Sequence, residues 1–321
     1  MRSCIDVKKR KRKLKLRKLR VTILLVIILS IIYVVNNGFV NTIGQIINIF
    51  KTEDAIKNIA FEVPDEIYSP NVILINLEND KVLYEKNKDE KVFPASLTKI
   101  MTTIVALENL PNLNKKIKLT NKIDEKLKNT GAAVAGFSLD ESIPIIDLLY
   151  GIMLPSGAEA AIGIAEDISG SEEDFVKLMN EKAKVLNMQN THFANVTGLH
   201  NENHYTTVND LSILLKYALK NEIFKEIFTT EKYTTAPTNI HPEGHILISR
   251  MHQKIYTTNL ENGKILGGKT GYTPEAGLCL ASLASVYDKE YILITTGAKG
   301  SNLTEQYNLI DAIQIYNGIL K

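Results

Sequence analysis

Two hydrophobic periods succeed one another along this chain, and their order predicts an architecture. Residues 71–77 are β-branched and apolar, Glu78-Asn79-Asp80 supplies turn residues, and Val82, Leu83 and Tyr84 resume the apolar run. That pattern predicts a β-hairpin. Pro94 then precedes an apolar-periodic segment over residues 96–110, which predicts a helix. The helical period continues over residues 145–153, 157–168, 172–186 and 208–219, the third helix opening on Ser171 and Asp174 as a capping box. From Lys264 the period shortens to two. Residues 266–271, 277–285 and 290–296 predict three antiparallel strands, the last two joined at Tyr287-Asp288-Lys289. A closing helix over residues 302–319 places Leu309, Ile313 and Tyr316 on one face. Strands at both ends that share one sheet around a central helical insert give an α+β fold, a three-layer sandwich with an antiparallel sheet.

The first part of the chain reads differently. From Lys8 to Arg20 every residue is Lys or Arg except Leu14, Leu16 and Leu19. The net charge of +2 therefore hides a basic tail and an acidic remainder. Residues 21–35 follow without a charge, and Asn36, Asn37 and Gly38 with Phe39 and Val40 extend the run toward the length of about 20 residues that spans a bilayer. A buried core helix is rarely apolar on every face. A cleaved signal peptide requires small residues just past the run, where this chain has Tyr33-Val34-Val35-Asn36-Asn37. The expectation is an uncleaved signal anchor over residues 21–38, with the basic tail (1–20) cytoplasmic and the rest outside. Residues 39–65 read as a linker, whose isoleucines and phenylalanines also suit an amphipathic helix on the membrane, and residues 66–321 as the extracytoplasmic domain.

Composition excludes some chemistry. Overall it is that of an ordinary globular protein. Cys4 and Cys279 fall on opposite sides of the proposed membrane, so no disulfide forms, and neither has metal-type spacing to a histidine. No metal and no cofactor is assigned. No phosphate-cradling glycine motif follows a strand, so neither nucleotide nor nucleic acid is an expected partner.

Three short motifs carry the candidate chemistry. In Ser96-Leu97-Thr98-Lys99 the serine and lysine are three apart, neighbours on one helix face. A lysine left neutral by burial can take the serine proton and activate it as a nucleophile; a helix cap with a surface lysine explains the same residues blandly. In Pro155-Ser156-Gly157-Ala158, Ser156 either caps a helix or relays a proton to a leaving amine. In Gly267-Gly268-Lys269-Thr270-Gly271-Tyr272, the glycines on a strand imply close approach by a ligand. Lys269 and Thr270 suit a terminal carboxylate, and a backbone N–H near Tyr272 would complete an oxyanion hole with that of Ser96.

Taken together, the motifs resemble the signature of penicillin-binding proteins and class A β-lactamases in order and placement. The likeness is nearest to the low-molecular-weight penicillin-binding proteins, serine-type D-Ala-D-Ala carboxypeptidases. It covers roughly residues 69–321 and extends to Thr191-His192-Phe193-Ala194-Asn195, Gly198-Leu199 and His204-Tyr205-Thr206-Thr207. The resemblance implies a β-lactamase/transpeptidase-like fold and catalysis by Ser96, Lys99 and Ser156. It also implies binding by Lys269, Thr270, Gly271 and Tyr272 of a peptidoglycan stem peptide ending in D-Ala-D-Ala, with β-lactams as inhibitors. Two departures stand out: Ala158 occupies a position where the family usually has Asn, and the N-terminal anchor stands in for the C-terminal amphipathic anchor of many relatives. The same residues would serve a D,D-endopeptidase. A β-lactamase would need in addition a group that activates the deacylating water, and Ala158 favours a non-cleaving peptidoglycan sensor.

Overall fold

The computed structural model describes residues 61–321. The basic tail, the expected anchor and most of the linker lie outside the described residues, among which no helix is long and apolar enough to cross a membrane. The end of the linker is already part of the folded body: Phe61 pairs with Ile319, Glu62 N–H donates to the Gly318 carbonyl at 2.8 Å, and the Phe61 ring packs on Tyr84.

Five strands build most of the scaffold. β1 (Asn71–Asn76) and β2 (Val82–Lys86) form the N-terminal hairpin. The short β3 (Lys116–Lys118), β4 (Ser142–Pro144), β5 (Lys232–Thr234) and β6 (Ile246–Ile248) pair off in two small sheets of their own, and three more strands follow at the other end of the chain, β8 (Gly263–Thr273), β9 (Gly277–Val286) and β10 (Lys289–Ala298). With the two-residue β7 (Asn259–Leu260) they make one antiparallel sheet in the order β2-β1-β10-β9-β8-β7. Tyr287 and Asp288 close the β9–β10 turn with positive φ of 50° and 61°, the left-handed pair that a tight hairpin needs.

Alternation along these strands feeds two cores. Ile73 and Ile75 of β1, Ala281 and Leu283 of β9, and Ile292 and Ile294 of β10 face the helical insert. Val72, Leu74, Leu280, Ala284, Tyr291 and Leu293 face the other way, against the closing helix Tyr307–Asn317. Both faces of the sheet are buried, which is why the central strands read as continuous apolar runs. Leu309, Ile313 and Tyr316 bury on the sheet as their spacing predicts. That helix starts later than residue 302, because residues 301–306 fold into a polar turn in which Thr304 and Gln306 bond to Ser301.

The insert contains the four predicted helices, at Ile145–Met153, Ala158–Ser169, Glu172–Val185 and Val208–Ala218. Ser171 caps the third by accepting from Asp174 N–H. Shorter helices at Asn121–Leu127, Glu222–Thr229 and Arg250–Lys254 lack the length for a readable period. At the centre lies Thr98–Asn109, with Ile100, Met101 and Ile104 at no more than 1% exposure. Each such side chain contributes about 1.5–3 kcal/mol on burial. A helix embedded this deeply withdraws from water anything its first turn carries.

Candidate active site

Ser96 does not begin the α-helix. It sits in a single 3-10 turn, Ala95–Leu97, that runs into Thr98–Asn109. Ala95 has φ +46°, a conformation that a non-glycine residue adopts only when its surroundings enforce it. Three contacts do so here. Leu97 N–H and the Thr98 hydroxyl both turn back, donating to the Pro94 and Ala95 carbonyls at 3.1 and 2.8 Å. The Thr98 hydroxyl also meets Nε2 of buried His204 at 2.8 Å. Because His204 Nδ1 accepts from Ala194 N–H, its ring proton lies on Nε2 and donates to Thr98. Burial pushes the His204 pKa down to about 3, so the ring holds this bond as a neutral group.

Lys99 has 2% exposure, and its Nζ lies 3.3 Å from Ser96 Oγ and 2.6 Å from the Thr197 carbonyl. Burial pushes its pKa down from 10.5 to about 7; the Glu159 carboxylate opposes that shift and the Arg250 cation adds to it. In the neutral amine, one N–H donates to Thr197 and the lone pair is free to take the Ser96 proton. The surface-lysine reading of this motif is thereby excluded.

The Thr197 carbonyl is held for that purpose. Asn195 Oδ1 accepts from the N–H groups of Thr197 and Gly198 and from the Thr197 hydroxyl, while its amide donates to the Leu199 carbonyl. Gly198 has φ +82°, and a Cβ there would stand 1.8 Å from the Ala95 carbonyl oxygen. This loop therefore carries the 3-10 turn as well as the lysine.

Ser156 precedes its helix by two residues and has φ +71°. It is no cap: Gly157 occupies that position, and no side chain bonds the helix start. The Ser156 hydroxyl is buried and has no protein partner among the described residues. Ala158, in the position of the expected amide, is wholly buried, and its N–H donates to the Ala133 carbonyl at 2.8 Å. Next to it Glu159 is held by backbone donors of another loop. Its Oε1 gathers the N–H groups of Ala135, Gly136 and Phe137, shaping the loop at 130–137.

These elements surround a cleft of about 610 Å³. Ser96, Lys99, Ser156, Thr270 and Tyr272 line it, with residues 130–134 as one wall. Lys269 and Gly271 do not. Gly271 acts behind the wall: a Cβ there would come within 3.0 Å of Ser96 N and 3.1 Å of Ala95 Cβ, so its absence lets β8 lie against the turn that holds Ser96. Lys269 departs from the expectation of a cation offered to a carboxylate. It has 1% exposure and donates to the Thr270 carbonyl at 2.9 Å; burial, then Lys99 and Arg250, lower its pKa well below the ordinary lysine value.

The cation that reaches the cleft is Arg250, which the sequence reading missed. Its Nε donates to the Pro155 carbonyl at 2.7 Å, fixing the guanidinium beside the Ser156 loop. No local motif marks it. Only the packing of helix Arg250–Lys254 against β8 brings it there. A half-buried serine with a depressed lysine at its side, an idle hydroxyl, a guanidinium and a strand edge are the groups that acyl transfer on a chain ending in a carboxylate would use.

Comparison with known proteins agrees with the geometry. A profile described as D-alanyl-D-alanine carboxypeptidase matches residues 58–300. The chain belongs to this family of D-alanyl-D-alanine carboxypeptidases. It is 38% identical over 231 residues to the D-alanyl-D-alanine carboxypeptidase DacF of Bacillus subtilis, covering 71% of this chain and 57% of DacF. It is 33% identical over 258 residues to DacC of Escherichia coli, covering 75% and 60%. The chain thus spans 57–60% of the length of these curated relatives. Among solved structures, the DD-transpeptidase of Streptomyces K15 superposes with a TM-score of 0.70 at 27% identity, over 80% of this chain and 98% of that one. In this chain, three motifs about 60 and 110 residues apart contribute Ser96, Ser156, Thr270 and Tyr272 to one cleft.

Proposed function

We propose that this protein is a serine D-Ala-D-Ala carboxypeptidase that removes the last D-Ala from peptidoglycan stem peptides through an acyl-enzyme on Ser96. The observation that carries the reading is the buried Lys99 amine, 3.3 Å from Ser96 Oγ with a pKa pushed down to about 7. A base neutral near the working pH can accept a proton and later return it.

The substrate lies along the β8 edge as an added strand, its terminal carboxylate on Arg250 and the Thr270 hydroxyl. Ser96 Oγ attacks the penultimate carbonyl carbon while its proton passes to Lys99 Nζ. Negative charge on the carbonyl oxygen rests on backbone N–H groups of Ser96 and Tyr272. The C–N bond then breaks, and Ser156 hands a proton derived from Lys99 to the departing amine of D-Ala. Water, deprotonated by the same lysine, cleaves the ester and restores Ser96. A β-lactam would follow the first half of this path and leave slowly. Membrane tethering belongs to the same reading. The basic run to Arg20 and the uncharged residues 21–35 support an anchor with the catalytic body outside the cell.

The test is release of free D-Ala by the purified protein from a pentapeptide ending in D-Ala-D-Ala, with Ser96→Ala as control. Release that disappears in S96A, together with loss of covalent penicillin labelling, is the expected result. Penicillin adducts on the wild type without any D-Ala release would establish a sensor instead, and labelling that persists in S96A would overturn the nucleophile.

A further inference from the structure

On the far side of the active-site wall, two loops from distant parts of the chain converge on one carboxylate oxygen. We propose that Glu141, His241 and His245 bind one divalent transition-metal ion of the zinc class. Glu141 is wholly buried, and its Oε1 lies 3.0 Å from His241 Nδ1 and 3.0 Å from His245 Nε2. The three donor atoms all lie within 4.8 Å of one another. A tetrahedral ion bonded at about 2.0–2.1 Å holds its ligands roughly 3.3 Å apart, so small adjustments admit it. Two imidazoles and a carboxylate suit zinc, cobalt, nickel or copper rather than magnesium or calcium. The convergence is itself unusual. The Thr238 hydroxyl already donates to Oε1 at 2.6 Å, so both imidazoles crowd an oxygen whose acceptor capacity is largely used.

The surroundings resemble those that support metal ligands. Ser138 N–H donates to Oε2 at 2.7 Å and, with Thr238, fixes the carboxylate orientation. The two histidines, four apart in His241-Pro242-Glu243-Gly244-His245, sit on a pinned turn. Thr238 and Gly244 N–H both donate to the His241 carbonyl, and His245 N–H donates to Thr235 Oγ1 at 2.7 Å. Asn239 spans the two loops, accepting from Ser142 N–H and donating to the Asp140 carbonyl. His241 is partly exposed, so solvent can supply the fourth ligand. An ion here would staple the loops together directly under Phe137, whose ring meets His245 edge-on at 4.9 Å. Phe137 in turn ends the loop whose residues 130–134 line the cleft. The ion would act as a support for that wall, with no part in the bond-breaking steps.

The experiment uses full-length untagged protein in detergent, stripped with a chelator and re-equilibrated with Zn²⁺ or Co²⁺. Bound metal is measured by mass spectrometry after desalting, and Co²⁺ coordination by visible absorption. One equivalent per chain and a tetrahedral Co²⁺ spectrum are expected, both lost in His241→Ala and in His245→Ala. Thr238→Ala should weaken Zn²⁺ binding by about tenfold, as loss of an outer-shell partner does. Circular dichroism establishes that each variant is folded; His241, at the solvent edge, is the variant least exposed to folding loss. Failure of folded wild type to retain metal, or retention undiminished in both histidine variants, would overturn the site. Neither outcome depends on the peptidase reading.

Discussion

Titrating the acylation step tests whether burial makes Lys99 the base for Ser96. At pH 7 an ordinary lysine with pKa 10.5 is neutral in about one molecule in three thousand, whereas one at about 7 is neutral in about half. The displacement from 10.5 to about 7 corresponds to about 5 kcal/mol, supplied mainly by the burial that helix Thr98–Asn109 imposes on its first turn. The second-order rate of labelling by a fluorescent penicillin, measured in stopped flow from about pH 5 to 9, should rise about tenfold per pH unit below 7 and level off above about 8. The same burial has a stability consequence. The folded-state pKa lies below the unfolded one, so the contribution of Lys99 is fully present above about 10.5 and is lost as pH falls to about 7, at about 1.4 kcal/mol per pH unit. Lys99→Met removes the buried ammonium at the loss of the bond to Thr197, worth about 1 kcal/mol. The variant should therefore unfold at higher temperature than wild type at pH 6, with the gap narrowing toward pH 9. A labelling rate independent of pH between 5 and 7, or a K99M variant less stable than wild type at pH 6, would show that Lys99 is neither the base nor held neutral by burial.

Two further outcomes follow from the site. Arg250→Ala should lower kcat/KM for D-Ala release by about 10- to 150-fold, the equivalent of a charge-assisted bond worth about 1.5–3 kcal/mol. Because the Arg250 cation helps to depress Lys99, the acid limb should also move to higher pH, and Arg250→Lys should restore the limb better than the affinity, since it lacks the planar fork. Gly198→Ala drives a Cβ to 1.8 Å from the Ala95 carbonyl at a positive φ. Urea unfolding should show a loss of about 3 kcal/mol or more, accompanied by loss of penicillin labelling; an unchanged midpoint would show that the loop at Gly198 does not carry the nucleophile turn.

Much of the scaffold follows from local pattern. Strand and helix periods predicted the hairpin at Asn71–Asn76, the four insert helices and the three C-terminal strands within a few residues, because side-chain period and capping act over one to four positions. The pairing of Ser96 with Lys99 was legible for the same reason: three residues on a helix start are neighbours whatever the rest of the fold does. The left-handed Ser156 was harder. Its neighbours Pro155 and Gly157 signal a turn, but they do not distinguish a helix cap from a hydroxyl left idle in a cleft.

Everything that depends on a group's surroundings came from the packing of distant segments. Lys99 and Lys269 are the same residue type, each beside a hydroxyl-bearing neighbour, yet one lines the cleft and the other is buried behind it against the Thr270 carbonyl. Arg250 carries no motif and gains its place because its short helix packs on β8, and Glu159 gathers the N–H groups of the loop at 135–137. Glu141 meets His241 and His245 from about 100 residues away. Local pattern suffices to tell which groups are spaced to react and which segments are strands or helices, since those are short-range matters. Desolvation, the approach of charges and the carbonyl that holds an amine in place arise between distant segments, and no local pattern encodes them.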